Sequence, residues 1–446
     1  MNIATDVVER DGREGRAMAR SGKPPEASWT GRVPEMGTGL VSYEDSISPE
    51  FYELEREAIF RRAWLNVGRV EQLPRKGSFF TKDLGVARTS LILTRGLDDR
   101  VRAFHNVCRH RGNKLLWGET PREETRGTCR EFMCKYHGWR YGLDGALKFV
   151  LQEEEYFDFD KAEFPLVPVH CEVWEGFVFV NLADEPSQSL PEFLGPMVRG
   201  LEGYPFHLVT ERYAFKADIL SNWKIFLDAF QEYYHASILH SQQQVPALRS
   251  FQTGFKVPHF QMDGPHRLVS TGGWKGVPRH LTPPHEMYPI EHVTEAGLMG
   301  PWERPDIPEL DPVNLPAGLN PGGLDPWSIS NFQIFPNFVI LVYERGWYLT
   351  YQYWPTSPNT HTWEMSYYFP PSRNASERIR HEVTAVVSKE AGLQDAGTLD
   401  GTQLGLESRV IDAYPLSDQE VTVRHLHKVV GDWVRSYLRD EQGVPA

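Results

Sequence analysis

Two short stretches, residues 106–114 (NVCRHRGNK) and 134–139 (CKYHGW), each hold a thiol and an imidazole within one turn of chain. Together Cys108, His110, Cys134 and His137 offer two thiolates and two imidazoles, a full ligand set for a metal centre. A tetrahedral zinc site is one chemistry they permit, but structural zinc usually groups Cys with Cys and His with His. Here each strap carries one of each. That is the pattern expected when a two-iron, two-sulfide cluster takes two thiolates on one iron and two imidazoles on the other. Exchanging thiolate for neutral imidazole removes negative charge and raises the cluster potential, which suits an electron relay fed by a low-potential donor. A small-residue turn follows each strap, at Gly112 and Gly138. Cys129 and Cys171 fit no ligand slot and read as ordinary structural thiols.

An electron relay needs an acceptor, and a second constellation lies in NWKIFLDAFQEYYHASILH, residues 222–240. Projected on one helix, Lys224, Asp228, Gln231, Glu232 and His235 share a polar face, and Trp223, Phe226, Phe230 and Tyr233 share an aromatic face suited to packing on a sheet. His240 follows His235 by five residues, about 140° away on an ideal helix, so the two can meet one metal only if the helix ends or loosens after His235. Two histidines and one carboxylate bind Fe(II) on one side and leave the other side open for O2 and substrate. The carboxylate candidates are Asp395, Asp400 and, more remotely, Asp412. Glu232, one turn before His235, is placed to accept a hydrogen bond from a ligand imidazole and so fix its tautomer.

The elements that must position these groups fall into an order. Residues 1–40 are rich in Gly, Arg, Glu and Pro without apolar periodicity and read as a mobile N-terminal arm. In residues 41–63, Phe51, Leu54, Ala58 and Ile59 recur at helical intervals, predicting one helix ending near Ala63 and packing on the second domain. From 64 to 182 short β-like runs (SLILTR, VRAF, GFVFVNL) predict a small antiparallel β domain that contains both straps. Residues 183–446 form the second domain: a strand in VTERYAFKADILS, the two-histidine helix, strands in NFQIFPNFVILVYE, WYLTYQYWP and TWEMSYYFP, and two closing helices. The last of these opens with a capping box, Ser417 with Glu420. Residues 256–328, dense in Pro, Gly and His, read as a long loop or lid. The fold class is therefore α+β.

Bulk properties exclude other classes. The 446-residue chain carries net charge -13, which argues against nonspecific nucleic-acid binding. No run approaches the ~18 apolar residues of a membrane span, and the first residues lack the apolar core of a secretory signal, so no membrane association and a cytoplasmic location are expected. No dinucleotide or phosphate-loop glycine motif occurs.

On these residues the chain resembles the α (oxygenase) subunits of Rieske non-haem iron oxygenases, the aromatic-ring-hydroxylating dioxygenases and related monooxygenases and dealkylases. NVCRHRG with CKYHGW, NWK followed by EYYHASILH, and DAGTLDGTQLGL carry the likeness, over roughly residues 45–440. It implies a small antiparallel Rieske domain and a catalytic domain whose antiparallel sheet wraps around helices, a helix-grip arrangement. It implies that Cys108, His110, Cys134 and His137 hold the [2Fe-2S] cluster, and that His235, His240 and Asp395, rather than Asp400, hold mononuclear Fe(II). Asp395 stands eight residues before Gln403 of the Q-x-G-L segment, where the family has its ligand Asp. Glu232 occupies the catalytic bridging position between His235 and His137 of a partner subunit, which implies a cyclic homotrimer, or an α3β3 assembly with a small β subunit.

The resemblance further implies electrons from NAD(P)H, reaching the cluster through a separate reductase, directly or through a ferredoxin. The expected reaction is hydroxylation of a hydrophobic aromatic or polycyclic compound. Two departures bear on it. Twenty-three residues separate His110 from Cys134, longer than the family's usual spacing, so GETPREETRGTCRE is expected to loop out. The bridging residue is Glu where ring dioxygenases usually have Asp, which favours monooxygenation or oxidative dealkylation over cis-dihydroxylation. A pure Rieske electron carrier is the remoter alternative, and it would leave the second domain without a use. Residues 109–148 hold nine Lys/Arg against five Asp/Glu, a basic patch suited to steering an acidic electron donor.

Overall fold

The computed structural model describes residues 26, 28–118, 124–240, 259–272, 296–297, 300–301, 304–411 and 413–442, which form two compact units: residues 60–193, and residues up to 59 with 194 onward. The fold is α+β, with antiparallel sheets throughout.

Residues 60–193 contain ten strands: β1 (Leu65–Arg69), β2 (Ser78–Leu84), β3 (Thr89–Arg95), β4 (Val101–His105), β5 (Arg126–Thr128), β6 (Glu131–Met133), β7 (Arg140–Gly142), β8 (Leu147–Phe149), β9 (Pro168–Trp174) and β10 (Phe177–Asn181). Seven form one sheet, ordered β1-β10-β9-β4-β3-β2-β5, and β6-β7-β8 form a second. The first strap leaves the end of β4 and the second joins β6 to β7. The long spacing between the straps is only partly a looped insertion: residues 126–128 become β5 and pair with Ser78–Phe80 at the sheet edge. A buried core of Phe79, Ile92, Phe104, Leu115, Phe132, Trp139 and Tyr141 lies beneath both straps, with Cys108 and Cys134 as part of it.

The other unit opens on α1 (Pro49–Glu55), capped by the Ser48 hydroxyl on Phe51 N–H and continued by a π turn, Arg56–Phe60. The helix therefore stops at Phe60, three residues short of expectation. Its sheet follows the order β11 (Glu211–Ile219), β17 (Thr360–Phe369), β16 (Trp347–Ser357), β15 (Phe338–Tyr343), β14 (Trp327–Ile334), β13 (His266–Gly272), β12 (His259–Asp263). Strand β15, FVILVY, is buried at every residue, so it reads as a continuous apolar run rather than an alternation. Among the described residues, the helices that frame the site are α2 (Trp223–Ala229), α4 (Ala375–Glu407) and α5 (Val421–Gln442), with the single turn α3 (Ala236–Leu239) between the first two. The Ser417–Glu420 capping box precedes α5 as expected.

Two expectations are corrected here. Within 256–328, residues 259–272 are not loop: β12 and β13 form a hairpin that extends the sheet through β14. The Gly and Pro density disguised an alternating pair around an Asp-Gly turn. Residues 1–25 of the expected arm lie outside the described residues, but residues 28–36 are ordered. Ser28 caps a helical turn, Trp29–Arg32, and the amides of Trp29 and Thr30 donate to the Asp418 carboxylate at 3.0 and 2.9 Å. Trp29 is buried with Phe260, Val269 and Val421. Burial of Trp29 together with the Asp418 carboxylate anchors a segment whose composition read as a mobile arm.

Candidate active site

The two straps adopt the same backbone geometry. Cys108 N–H donates to Asn113 O and Gly112 N–H to Cys108 O; Cys134 N–H donates to Trp139 O and Gly138 N–H to Cys134 O, at 2.8 and 3.0 Å in each strap. Gly112 and Gly138 have φ of 73° and 74°, a left-handed turn that a side chain would strain, although a Cβ would meet open space at both. The requirement is conformational. The thiols point into the core and the imidazoles stand at the half-exposed end. The His110 and His137 rings meet edge to face with centroids 4.7 Å apart, and His110 stacks on Trp139 at 4.9 Å. Burial raises the Cys108 thiol pKa, and Cys134 beside it adds to the shift.

The donor chemistry fits a [2Fe-2S] group: a thiol pair, an imidazole pair, and a buried His137 Nδ1 with no hydrogen-bond partner. Tyr141 Oη lies 3.3 Å from Cys108 Sγ while accepting Arg109 N–H at 3.0 Å, and Asn113 Nδ2 lies 3.7 Å from Cys134 Sγ. Polar groups directed at the sulfurs favour the reduced cluster and raise its potential. Neither Tyr141 nor Asn113 was anticipated, because nothing in their spacing distinguishes them from packing residues. The basic patch is smaller than its composition: Lys114 pairs with Asp83, Lys135 with Glu124 and Lys148 with Asp144. Arg109 and Arg111 remain beside His110.

The second site forms where α2 ends. The carbonyl of Phe230 accepts Asn331 Nδ2 at 2.7 Å and Gln333 Nε2 at 2.6 Å, both from β14, so the helix stops before Gln231. The break thus precedes His235, and the single-helix projection of residues 222–240 fails. Lys224, assigned to a wet face, is fully buried in an ion pair with Glu55 at 2.5 Å. The aromatic face does pack on the sheet: Phe226 lies 4.7 Å from Trp363, and Phe230 lies 5.2 Å from Tyr351.

Glu232 then organises the turn. Its Oε2 accepts the N–H groups of Tyr234 and His235, and its Oε1 accepts His235 Nδ1–H at 2.6 Å. His235 and His240 flank α3, which brings both Nε2 atoms toward Asp395 Oδ1, at 3.5 and 3.2 Å. The three ligand atoms lie within 4.8 Å of one another. Burial alone would depress the His240 pKa, but Asp395 and Gln394 outweigh it and hold the value above that of an ordinary imidazole. Gln394 Oε1 takes His240 Nδ1–H at 2.9 Å, a role visible only once the helix is in place. Asp395 Oδ1 is buried with no hydrogen bond, as expected of an atom whose partner is a cation. The set fits a mononuclear metal with two histidines and one carboxylate. Asp400 is exposed and accepts Gly401 N–H, and Asp412 lies outside the described residues.

Asp395 reaches the site because α4 lies hard against the sheet. A Cβ at Gly392 would fall 2.3 Å from Trp363 Cη2, so only glycine allows this approach, one helical turn before Asp395. A mid-helix glycine costs about 1 kcal/mol against alanine, and the close contact explains its presence here.

Comparison with known proteins follows this division. Residues 63–160 match the profile of the Rieske [2Fe-2S] domain, and residues 206–436 that of the ring hydroxylating alpha subunit (catalytic domain). An iron–sulfur domain joined to a mononuclear-iron domain defines a class of oxidoreductase. Since the second profile alone spans more than half of the chain, the protein belongs to the ring-hydroxylating α-subunit family, the Rieske oxygenases. Among curated relatives, the glycine betaine monooxygenase oxygenase subunit of Pseudomonas aeruginosa is 33% identical over 193 residues, 43% of this chain and 42% of that protein. The carnitine monooxygenase oxygenase subunit of Escherichia coli K12 is 29% identical over 252 residues, 56% and 62% of the two chains. The match thus spans less than two thirds of these relatives. Among solved structures, the quaternary ammonium Rieske monooxygenase CntA superposes with TM-score 0.67 at 18% identity, covering 93% of this chain and 99% of CntA. Naphthalene 1,2-dioxygenase from Rhodococcus sp. gives 0.67 at 18%, covering 90% and 95%. At such identity these two show a shared fold.

Proposed function

We propose that this chain is the oxygenase component of a multicomponent Rieske oxygenase that performs monooxygenation or oxidative dealkylation. The observation that carries the reading is the orientation of two imidazoles. Glu232 and Gln394 occupy both Nδ1 atoms, so His235 and His240 present their Nε2 atoms together with Asp395 Oδ1 at one point. Iron held there supplies O2 activation, and a [2Fe-2S] group held by Cys108, His110, Cys134 and His137 supplies electrons originating in NAD(P)H from a separate reductase or ferredoxin.

The chain's own residues do the rest. Glu232 fixes the proton of His235 on Nδ1 and orients that imidazole. Phe226 and the half-buried Phe230, from α2 and its C-cap, pack with the buried Tyr351, Tyr353 and Trp363 of the sheet as an aromatic wall that excludes water. In a cyclic homotrimer, with or without a small β subunit, Glu232 would also meet the partner subunit's His137. Residues 64–182 serve as the electron-transfer domain and 183–446 as the catalytic domain.

For the substrate, the curated relatives named for glycine betaine, carnitine and choline favour a quaternary ammonium compound over the aromatic hydrocarbon expected from sequence. An aromatic wall suits a methylated ammonium through cation–π attraction. The same wall suits an apolar aromatic compound, which is the second reading. Incubation with a surrogate reductase, labelled O2 and a panel of quaternary amines and aromatic compounds tests both. Incorporation of a single label atom with aldehyde release supports dealkylation. A cis-diol carrying two label atoms refutes monooxygenation, and equal amounts of iron and acid-labile sulfide, with no extra iron, would mark an electron carrier.

A further inference from the structure

Arg267 is the second residue of β13, 1% exposed and in register with Gln333 of β14. Its Nε donates to Gln333 Oε1 at 3.2 Å, but among the described residues Nη1 and Nη2 have no acceptor and the guanidinium makes no ion pair. Other buried polar atoms nearby are also unmatched. The carboxamide of Gln231, fully buried just past α2, has neither nitrogen nor oxygen bonded; Asn331 Oδ1, Asp228 Oδ1 and His425 Nδ1 lack partners too. Adjacent bonds tie these groups into one neighbourhood. Gln333 and Asn331 both hold the Phe230 carbonyl, and Thr422 Oγ1 of α5 donates to Gln231 O at 2.8 Å.

Among the charges near these groups, Asp228 favours the Arg267 cation, but Asp228 is shared. Asp228 directs Oδ2 to His427 Nε2 at 3.2 Å, and Asp45 takes His427 Nδ1 at 2.7 Å. Burial works against the charge on His427, yet the two carboxylates prevail and raise its pKa to about 10, so Asp228 already has a cationic partner. Burial and the proximity of Arg267 push His425 down to about 3, which leaves it neutral. A guanidinium cannot shed its proton at physiological pH, and a desolvated, unpaired one is strongly disfavoured unless an anion meets it. Its paired Nη atoms match the geometry of a carboxylate.

We propose that Arg267, assisted by the Gln231 carboxamide, is an anion subsite that receives the carboxylate of a small organic substrate. The subsite is linked to the reacting centre along the chain: Gln333, which holds Arg267, and Asn331 anchor the Phe230 carbonyl, and Glu232 and His235 follow on the same loop. That the occupant is a substrate rests on the oxygenase reading above; that it is an anion does not.

The test uses the holoenzyme and its Arg267→Met and Arg267→Lys variants. Acetate should raise the melting temperature of the wild type saturably and leave Arg267→Met unmoved, with Arg267→Lys between them. In turnover, carboxylate-bearing substrates should lose about 100-fold in kcat/KM with Arg267→Met, whereas their methyl esters or glycine betaine's alcohol analogue, choline, should not. Chloride or inorganic phosphate matching the acetate shift, with carboxylate turnover unaffected by the variants, would mean a structural inorganic anion and overturn the substrate assignment. No anion response in the wild type, with a marked loss of stability in Arg267→Met, would mean that water bridges Arg267 to Asp228 and would overturn the subsite. Arg267-dependent acetate binding in a protein that turns over no substrate would sink the oxygenase reading and leave the subsite standing.

Discussion

Gly392→Ala isolates the contact that delivers the carboxylate. The added Cβ would stand 2.3 Å from Cη2 of Trp363, with further ring carbons at 3.1 and 3.3 Å, whereas ordinary carbon contacts begin near ~3.5 Å. The indole cannot retreat, since it is fully buried with Phe226 at 4.7 Å and Tyr351 at 5.0 Å. The helix must therefore withdraw by roughly 1 Å, and Asp395, one turn on, withdraws with it. Overpacking costs about 1–3 kcal/mol, and alanine returns about 1 kcal/mol in helix propensity, so net destabilisation is about 0–2 kcal/mol. A metal ligand misplaced by that distance should lower turnover about 100-fold. Iron per chain, melting temperature and product formation are the measurements. Gly401→Ala, on the same helix in open space, is the control, with unchanged iron and slightly raised stability. Adding Trp363→Phe to Gly392→Ala should restore much of the iron. Full iron and full turnover in Gly392→Ala alone would refute the steric account of how Asp395 is positioned.

Three further outcomes are expected. Glu232→Gln should lower iron affinity or turnover about 10–100-fold, because a carboxamide cannot hold the His235 Nδ1 proton as a carboxylate does; metal titration beside steady-state kinetics separates the two effects. Lys224→Met leaves the Glu55 carboxylate buried and unpaired, and should lower stability by about 3–5 kcal/mol in urea denaturation, a loss that Glu55→Met in the same chain partly recovers. His361 is fully buried, with Nδ1–H donated to the Ser221 carbonyl at 2.7 Å, and burial lowers its pKa from 6.5 to about 4. The unfolded chain thus binds the extra proton. Stability should be whole above pH 6.5 and fall as pH drops from 6.5 toward 4, by up to about 3 kcal/mol, and His361→Gln should flatten that limb in denaturation measured across the range.

Short-range chemistry was legible in the sequence. Cys108 with His110 and Cys134 with His137 lie within single loops, so their types and spacing state the ligand set, and the Gly112 and Gly138 turns follow from it. The strands from residue 327 to 369 were legible because alternating or continuous apolar runs mark a sheet that is buried on one or both faces. The hairpin 259–272 and the turn around Trp29 were not, because their stability comes from β14 and from Asp418, both distant in sequence.

What tertiary structure alone decided is the geometry between elements. The sequence offered His235, His240 and three candidate aspartates, with an ideal helix that would have kept the histidines apart. Side chains from β14 end that helix early, and Trp363 fixes how closely α4 approaches. Those two long-range contacts bring Asp395, and not the exposed Asp400, beside the two histidines and set Gln394 on His240. The same holds for Arg267, which by sequence is one cation in a polar stretch and acquires meaning only as a buried charge whose Nη atoms meet no acceptor among the described residues. Local spacing records which ligands a chain can offer; which of them meet depends on packing that no short window of sequence contains.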